Sequence, residues 1–188
     1  MPPNNQTDIA LYAQLRASHP EAERAFAELY RRHAPRINAY CKRVLGSREE
    51  SSDVFQETFA RFYESAQTAG ERTMTNVPAY LLVIARNLCL QHKRNTRVTF
   101  RFEDYDSPDH HAARRIEENE LLSLITTALE LLDFEHREAF VLREYDGLSH
   151  QEIAEFLNAN EATIRTRVHR AKQKIRQILS PYLHDLNK

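Results

Sequence analysis

The sequence predicts an all-α protein, built as two small helical domains joined by a flexible acidic linker. Three observations carry that reading. Only 3 of the 188 residues are glycine, whereas Ala, Leu, Glu and Arg are abundant, a composition of helix formers. Apolar residues recur every three or four positions along most of the chain, the period of a helix that buries one face. Between two such periodic parts stands EDYDSPDHH, from Glu103 to His111, which is acidic, contains Pro108 and has no helical period, as expected of a linker. Domains are therefore expected over residues 8–100 and 116–180, with the linker over 101–115.

Met1 to Thr7 is polar and opens with two prolines after the methionine, so it should be loose. Asp8 can cap a short helix over residues 9–17. Pro20 suits the first turn of the next helix, where a missing N–H costs nothing. Ala22, Phe26, Leu29, Tyr30 and His33 continue an apolar stripe that resumes at Ile37, Tyr40, Cys41, Val44 and Leu45. Pro35 lies between the two halves and is expected to kink or divide the helix. Gly46 ends it, and Ser47 can cap the following helix with Glu50 three residues on. Val54, Phe55, Thr58, Phe59, Phe62, Tyr63 and Ala66 then form a wide core stripe. Asp53, Gln56, Glu57, Arg61 and Glu64 occupy the opposite face, a pattern that on its own also describes a solvated surface.

Thr68 to Val77 reads as a polar loop containing Gly70, and Pro78 starts another helix with Leu81, Ile84, Ala85, Leu88 and Cys89 on its buried line. From Arg72 through Phe102 there is no Asp or Glu, while Arg72, Arg86, Lys93, Arg94, Arg97 and Arg101 are all basic. Tyr80 and Phe100 interleave with these cations. Such a block suits a nucleic-acid strand, because cations meet phosphates and rings meet unstacked bases. It also fits a solvated helix end.

Beyond the linker, residues 116–132 restore the helix with Leu121, Leu124, Ile125, Ala128 and Leu132. The stretch from Glu138 to Leu179 is the most informative. REAFVLREYDGLSHQEIAEF is followed by LNANEATIRTRVHRAKQKIRQIL. Ser149 can cap a helix over 151–157, and Glu152 completes a capping box. Asn158 tolerates the left-handed conformation of a sharp turn, and Asn160 can cap a helix starting at Glu161. That helix buries Ile164, Val168, Ala171, Ile175 and Ile178 on one face. Arg165, Thr166, His169, Arg170 and Gln173 share the other face, and the helix also carries Arg167, Lys172, Lys174 and Arg176 against the single acid Glu161. Ser180-Pro181 should end it. The result is a helix-turn-helix whose second helix suits the major groove of DNA.

The remaining features narrow the class. A formal net charge of −1 averages over blocks of opposite sign and by itself neither favours nor excludes nucleic acid. Cys41 and Cys89 lie far apart without a C-x-x-C, so reduced, buried thiols are expected. No metal site, cofactor or enzymatic activity is expected. There is no nucleophile–base pair, no glycine-rich phosphate loop and no metal-ligand spacing, and His110-His111 read as linker residues. No apolar run spans a bilayer and the N-terminus lacks a signal-peptide pattern, so a soluble cytoplasmic protein is expected, without membrane insertion.

Three blocks in this order resemble the extracytoplasmic-function (ECF) type of RNA polymerase sigma factor. DVFQETFARFYES, Asp53 to Ser65, is similar to the family's polymerase-binding helix. AYLLVIARNLCLQHKR, Ala79 to Arg94, is similar to the helix beside the promoter −10 element. REAFVLREYDGLSHQEIAEFLNANEATIRTRVHRAKQKIR resembles the domain that reads the −35 element. The resemblance implies region 2 and region 4 domains on a flexible connector whose negative charge complements polymerase channels built for nucleic acid. It implies core RNA polymerase as partner through the β′ clamp helices and the β flap, promoter DNA as ligand, and an anti-sigma factor as a further partner found in the family. By position it assigns Asp53, Gln56, Glu57 and Arg61 to the clamp helices. It assigns Thr73, Met74, Thr75 and Asn76 to capture of an unpaired −10 base, Arg86, Asn87, Lys93 and Arg94 to the nearby strand, and Arg165, Thr166, His169, Arg170 and Gln173 to the −35 duplex.

The sequence departs from the family pattern at Leu132-Asp133, where Leu-Pro is usual, at Ala162-Thr163, where Gly-Thr is frequent, and in having no Trp in the region 2 loop. Two other functions share many of these features: a sigma-like decoy for an anti-sigma factor, and a conventional helix-turn-helix regulator. A decoy needs neither cationic block. A conventional regulator binds DNA without polymerase.

Overall fold

A computed structural model describes residues 6–68, 74–99 and 118–183. Among the described residues there are eight α-helices and no strand: α1 (Asp8–Gln14), α2 (His19–Leu45), α3 (Arg48–Thr68), α4 (Val77–Thr99), α5 (Glu118–Glu130), α6 (Phe134–Glu144), α7 (His150–Leu157) and α8 (Glu161–Leu183). The all-α expectation holds. All of the expected linker, residues 101–115, lies outside the described residues, His110 and His111 with it. The chain forms two compact units, one of Met1–Lys42 and Ser47–Arg94, the other of Arg43–Gly46 and Asn95–Lys188.

In the first unit, Leu11, Tyr12, Leu15, Leu29, Ile37, Tyr40, Phe59, Phe62, Leu81 and Leu88 are buried together with both free cysteines. Tyr12 and Phe62 stack at 5.5 Å, and Tyr30 meets Phe59 at 4.7 Å between ring centroids, within the range at which rings attract beyond their buried area. Polar clips fasten α1. Arg16 donates from Nε to the Ala66 carbonyl at 2.8 Å, and the Gln67 amide donates back to the Leu15 carbonyl.

Three boundaries differ from expectation. Thr7, not Asp8, caps α1, accepting from the Ala10 N–H at 3.2 Å. The Asp8 carboxylate is drawn instead to Arg32 Nη1 at 2.8 Å and His33 Nε2 at 2.7 Å. Those partners are about 25 residues away, so local spacing could not show them. Pro35 does not divide α2, which runs through it. Proline removes one intrahelical hydrogen bond, and the buried Leu29, Ile37, Tyr40 and Cys41 on either side hold the helix together. Pro181 likewise lies inside α8, in its last turn, where little helix remains to be disrupted. By contrast Gly46, at φ +82°, ends α2 as its freedom for positive φ allows.

In the second unit, Ala128, Leu129 and Leu132 pack against Ala171, Ile175 and Leu179, joining α5 to α8. Arg137 is buried below them, and its Nη2 donates to the carbonyls of Glu130 at 2.6 Å and Leu132 at 3.1 Å. A cation at the C-terminus of α5 satisfies carbonyls that the helix leaves unpaired. Burial lowers the Arg137 pKa, with the charge of Glu130 opposing that shift.

Two predictions follow from these local structures. Asp133, at φ −56° and ψ 146°, makes no side-chain cap bond, and that φ lies in proline's range. Asp133→Pro should keep the fold and raise stability by about 0.4–1 kcal/mol through the unfolded chain, read by thermal unfolding. Glu28 accepts from Arg31 and Arg32, and these bonds lower its pKa from 4.5 to about 2. A depressed carboxylate stabilises the fold above its unfolded pKa and loses that contribution as pH falls through the folded one. The stability difference between the wild type and Glu28→Gln should therefore shrink between pH 4.5 and about 2.

Candidate nucleic-acid interface

The helix-turn-helix is assembled by backbone chemistry. Ser149 Oγ accepts from the Glu152 N–H at 3.1 Å while Glu152 Oε2 accepts from the Ser149 N–H at 2.7 Å, a complete capping box at the start of α7. The Ser149 backbone N–H, and after it the Ser149 hydroxyl, hold the Glu152 carboxyl below the usual carboxylate range. α7 ends at Asn158, at φ 50° and ψ 52°. The Ala159 N–H donates to the Ala154 carbonyl at 2.9 Å and the Asn158 N–H to the Glu155 carbonyl at 3.3 Å, the paired bonds of a Schellman turn. Asn160 Oδ1 then accepts from the Ala162 N–H at 2.8 Å and launches α8.

Ile164, Val168, Ala171, Ile175 and Leu179 bury one side of α8, and Ile178 is half-buried. Arg165, Thr166, His169, Arg170 and Gln173 are all exposed on the other side, as the spacing predicts. Their chemistry is not uniform. Thr166 donates its hydroxyl back to the Ala162 carbonyl at 2.9 Å, leaving its lone pairs and methyl outward. Arg165 donates from Nη2 to Glu161 Oε1 at 2.7 Å. Among the described residues Arg170 makes no ion pair.

Sequence reasoning did not separate the structural cations of α8 from the available ones. Arg167 is held by Glu135 and Lys172 by Glu144 at 2.8 Å, both acids lying on α6. These pairs lie along the seam between α6 and α8 and leave Arg167 and Lys172 partnered. The only sequence signal for them was the wheel position of Arg167 and Lys172, which flanks the buried stripe. Arg176, about three turns beyond Arg165 on the same face, is exposed and was not among the expected DNA-facing residues.

In the first unit, Thr73 lies outside the described residues, Met74 is half-buried, and Thr75 and Asn76 are exposed. Asn76 is the cap of α4, accepting on Oδ1 from the Ala79 N–H at 3.0 Å, so only its amide nitrogen is uncommitted to that bond. On α4, Asn87 and Arg94 are exposed and Arg86 and Lys93 half-buried. Tyr80, a candidate for stacking, is half-buried against Phe62 at 6.3 Å. Phe100 lies outside the described residues. Asp53, Gln56, Glu57 and Arg61 are exposed together on α3, with Arg61 Nε donating to Glu57 at 2.7 Å. No cluster of three or more potential metal ligands exists among the described residues, and no described helix is long and apolar enough to cross a membrane.

The two helical units, one of them carrying a helix-turn-helix, correspond to two known family models. Sigma-70 region 2 matches residues 29–99 and sigma-70 region 4 matches residues 122–175. Among curated relatives, ECF RNA polymerase sigma factor SigE of Mycolicibacterium smegmatis is 32% identical over 161 residues, covering 82% of this chain and 62% of its own. RNA polymerase sigma factor CarQ of Myxococcus xanthus is 30% identical, covering 84% of this chain and 91% of its own. The chain belongs to the ECF sigma factors of the sigma-70 family, the alternative sigma factors of RNA polymerase.

Solved structures support the fold. RpoE of Bartonella quintana, in complex with the anti-sigma factor NepR, matches with a TM-score of 0.66 at 22% identity, over 82% of this chain and 96% of that one. CnrH, in complex with the cytosolic domain of CnrY, gives 0.64 at 24% identity, over 93% and 97%.

The turn supplies a direct test. Asn158→Ala should lower the stability of the second unit by about 1 kcal/mol, because alanine lacks the short polar side chain whose local hydrogen bonding offsets the left-handed strain. Asn158→Gly should be neutral or stabilising, since glycine is the usual residue there. Thermal unfolding monitored by circular dichroism reads both.

Proposed function

We propose that this chain docks on core RNA polymerase, aligns it on a −10 and a −35 element, and helps hold the −10 strand open while the polymerase makes RNA. The chain performs no chemistry in this scheme. It acts where the polymerase acts, in the cytoplasm. Residues 8–100 serve as the polymerase- and −10-binding domain, residues 116–180 as the −35-binding domain, and 101–115 as the connector.

The observation that carries the reading is the division of labour on α8. Arg167 and Lys172 are tied to α6, while Arg165, Thr166, His169, Arg170 and Gln173 stand exposed on one face. That face has the width and charge to enter a major groove, with its first turns against base edges. Arg170, having no ion pair among the described residues, is placed to meet guanine O6 and N7 with two donors. Arg176, further along, suits a phosphate. Thr73, Met74, Thr75 and Asn76 surround the unpaired −10 base, and Arg86, Asn87, Lys93 and Arg94 track its strand. Asp53, Gln56, Glu57 and Arg61 meet the β′ clamp helices, and the second unit meets the β flap. The complex of RpoE with the anti-sigma factor NepR favours a protein of that kind as a regulator of this chain as well.

Run-off transcription with core polymerase tests the assignment on a promoter that the holoenzyme transcribes and on its single-substituted −35 variants. Arg170→Ala should cost about 1–3 kcal/mol of discrimination at one base pair. Arg176→Ala should weaken binding to every sequence alike and reduce the salt slope by about one. Unchanged −35 selectivity in both Arg165→Ala and Arg170→Ala would remove α8 from promoter reading. Transcription-inactive holoenzyme that still sequesters an anti-sigma factor would favour a decoy.

A further inference from the structure

Glu161 is the one acid on α8, and it stands at the end of the helix that leads into a groove. A carboxylate there is well placed for the fold, because the unpaired N–H groups of the first turn and the helix dipole favour negative charge. It is badly placed for DNA, since it approaches phosphates of the same sign. Its hydrogen bond to Arg165 changes that balance. Glu161 Oε1 accepts from Arg165 Nη2 at 2.7 Å, four residues along the same face, and the two side chains are 46% and 68% exposed. An exposed pair of this kind adds little to stability, so its consequence lies in what it does to Arg165.

An untethered arginine at this position is drawn to any phosphate, and such contacts carry no sequence information. A tethered one is different. The guanidinium has five N–H donors, of which the bond to Glu161 uses one, so its remaining donors can still address O6 and N7 of a guanine. The pair as a whole is neutral, so it adds no general attraction to the duplex. The Asn160 cap and the buried Ile164 hold the backbone of the first turn of α8 in place, which keeps Glu161 one helical turn from Arg165.

We propose that Glu161 is a specificity-determining positioning residue: by holding and neutralising Arg165, it makes Arg165 contribute to the choice of −35 sequence and not to general DNA affinity. The proposal rests on the reading that α8 meets the −35 duplex.

The experiment uses holoenzyme reconstituted from core polymerase and the full chain. Competition binding is measured at several salt concentrations on a promoter that the holoenzyme transcribes and on its −35 variants. Glu161→Gln should bind all duplexes more tightly at low salt and steepen the salt dependence by about 0.9 log units per log unit of salt, as one more cation becomes free to meet a phosphate. Its preference for the original −35 sequence should fall about three- to tenfold, within the range of coupling between contacting side chains. Glu161→Asp, which keeps the charge on a shorter arm, should lose the preference with little change in salt slope. In an Arg165→Ala background, Glu161→Gln should no longer alter sequence preference.

An unchanged preference in Glu161→Gln, with Arg165→Ala impaired, overturns the role of Glu161 and leaves α8 as the reader. An equal change from Glu161→Gln with and without Arg165 overturns it too. An Arg165→Ala variant with wild-type −35 selectivity overturns both this proposal and the placement of Arg165 against DNA. Native helix content by circular dichroism in every variant at the assay temperature, with at most the small drop in melting temperature expected when Glu161→Gln removes a first-turn charge, confirms that the differences arise at the interface.

Discussion

The structure of the second unit depends on one constraint: α8 must bury an unbroken apolar stripe while carrying cations at many of its other positions. Ile164, Val168, Ala171, Ile175 and Leu179 meet the stripe requirement and dock the helix on α5, α6 and α7. Burial of such side chains supplies the main driving force, each large one contributing about 1.5–3 kcal/mol. The cations would repel one another along the helix without partners. Glu135 and Glu144 on α6 take up the two at the edges of the stripe, Arg167 and Lys172. What remains outward is a face defined as much by the cations removed from it as by those left. The direction of α8 is set separately, by the left-handed Asn158 and the two bonds of the Schellman turn.

The first unit solves a different problem. Its aromatic and aliphatic core is knit from four helices, and its polar clips lie at helix ends, where Arg16 and Gln67 join α1 to α3. α4 carries its basic residues on the far side of a line of buried Leu81, Ala85, Leu88 and Cys89. The sequence has no acid from Arg72 to Phe102, so the described part of α4 carries charge of one sign, the condition for drawing in a nucleic-acid strand. α3 presents the opposite character, with Asp53, Glu57 and Glu64 exposed beside a single paired Arg61. One small unit thus carries acidic residues on the exposed face of α3 and basic residues on α4.

Much of this was legible in the sequence because it is local. The caps at Ser149 and Asn160, the left-handed Asn158 and the glycine stop at Gly46 each depend on residues within a turn of one another, and each appears where the spacing put it. Amphipathic periodicity found the buried faces for the same reason. The misses share the opposite property. Asp8 was expected as a cap, but its carboxylate is taken by Arg32 and His33 on α2. Pro35, expected to kink or divide α2, does not divide it, and Pro181, expected to end α8, lies in its last turn; packing keeps the first helix continuous and the second has little left to lose. The pairing of Arg167 and Lys172 with α6 spans a turn and a helix, and no window of consecutive residues contains it. Asn76, expected at a DNA base, is also the cap of α4, a role that its position one residue before Val77 made readable.

The central claim is that one chain addresses duplex DNA with α8 and opened DNA with α4 in a single assembly with polymerase. Cys41 and Cys89 are wholly buried, which allows a cleaving reagent to be placed on a new surface cysteine without competing attachment. The most direct measurement tethers an iron chelate at His169→Cys or at Asn87→Cys and maps the cuts on one promoter in the holoenzyme. The account predicts cuts at the −35 duplex from position 169 and at the −10 strand from position 87. Cuts from both positions at the same element, or no promoter cuts from either position in a holoenzyme that transcribes, would contradict it.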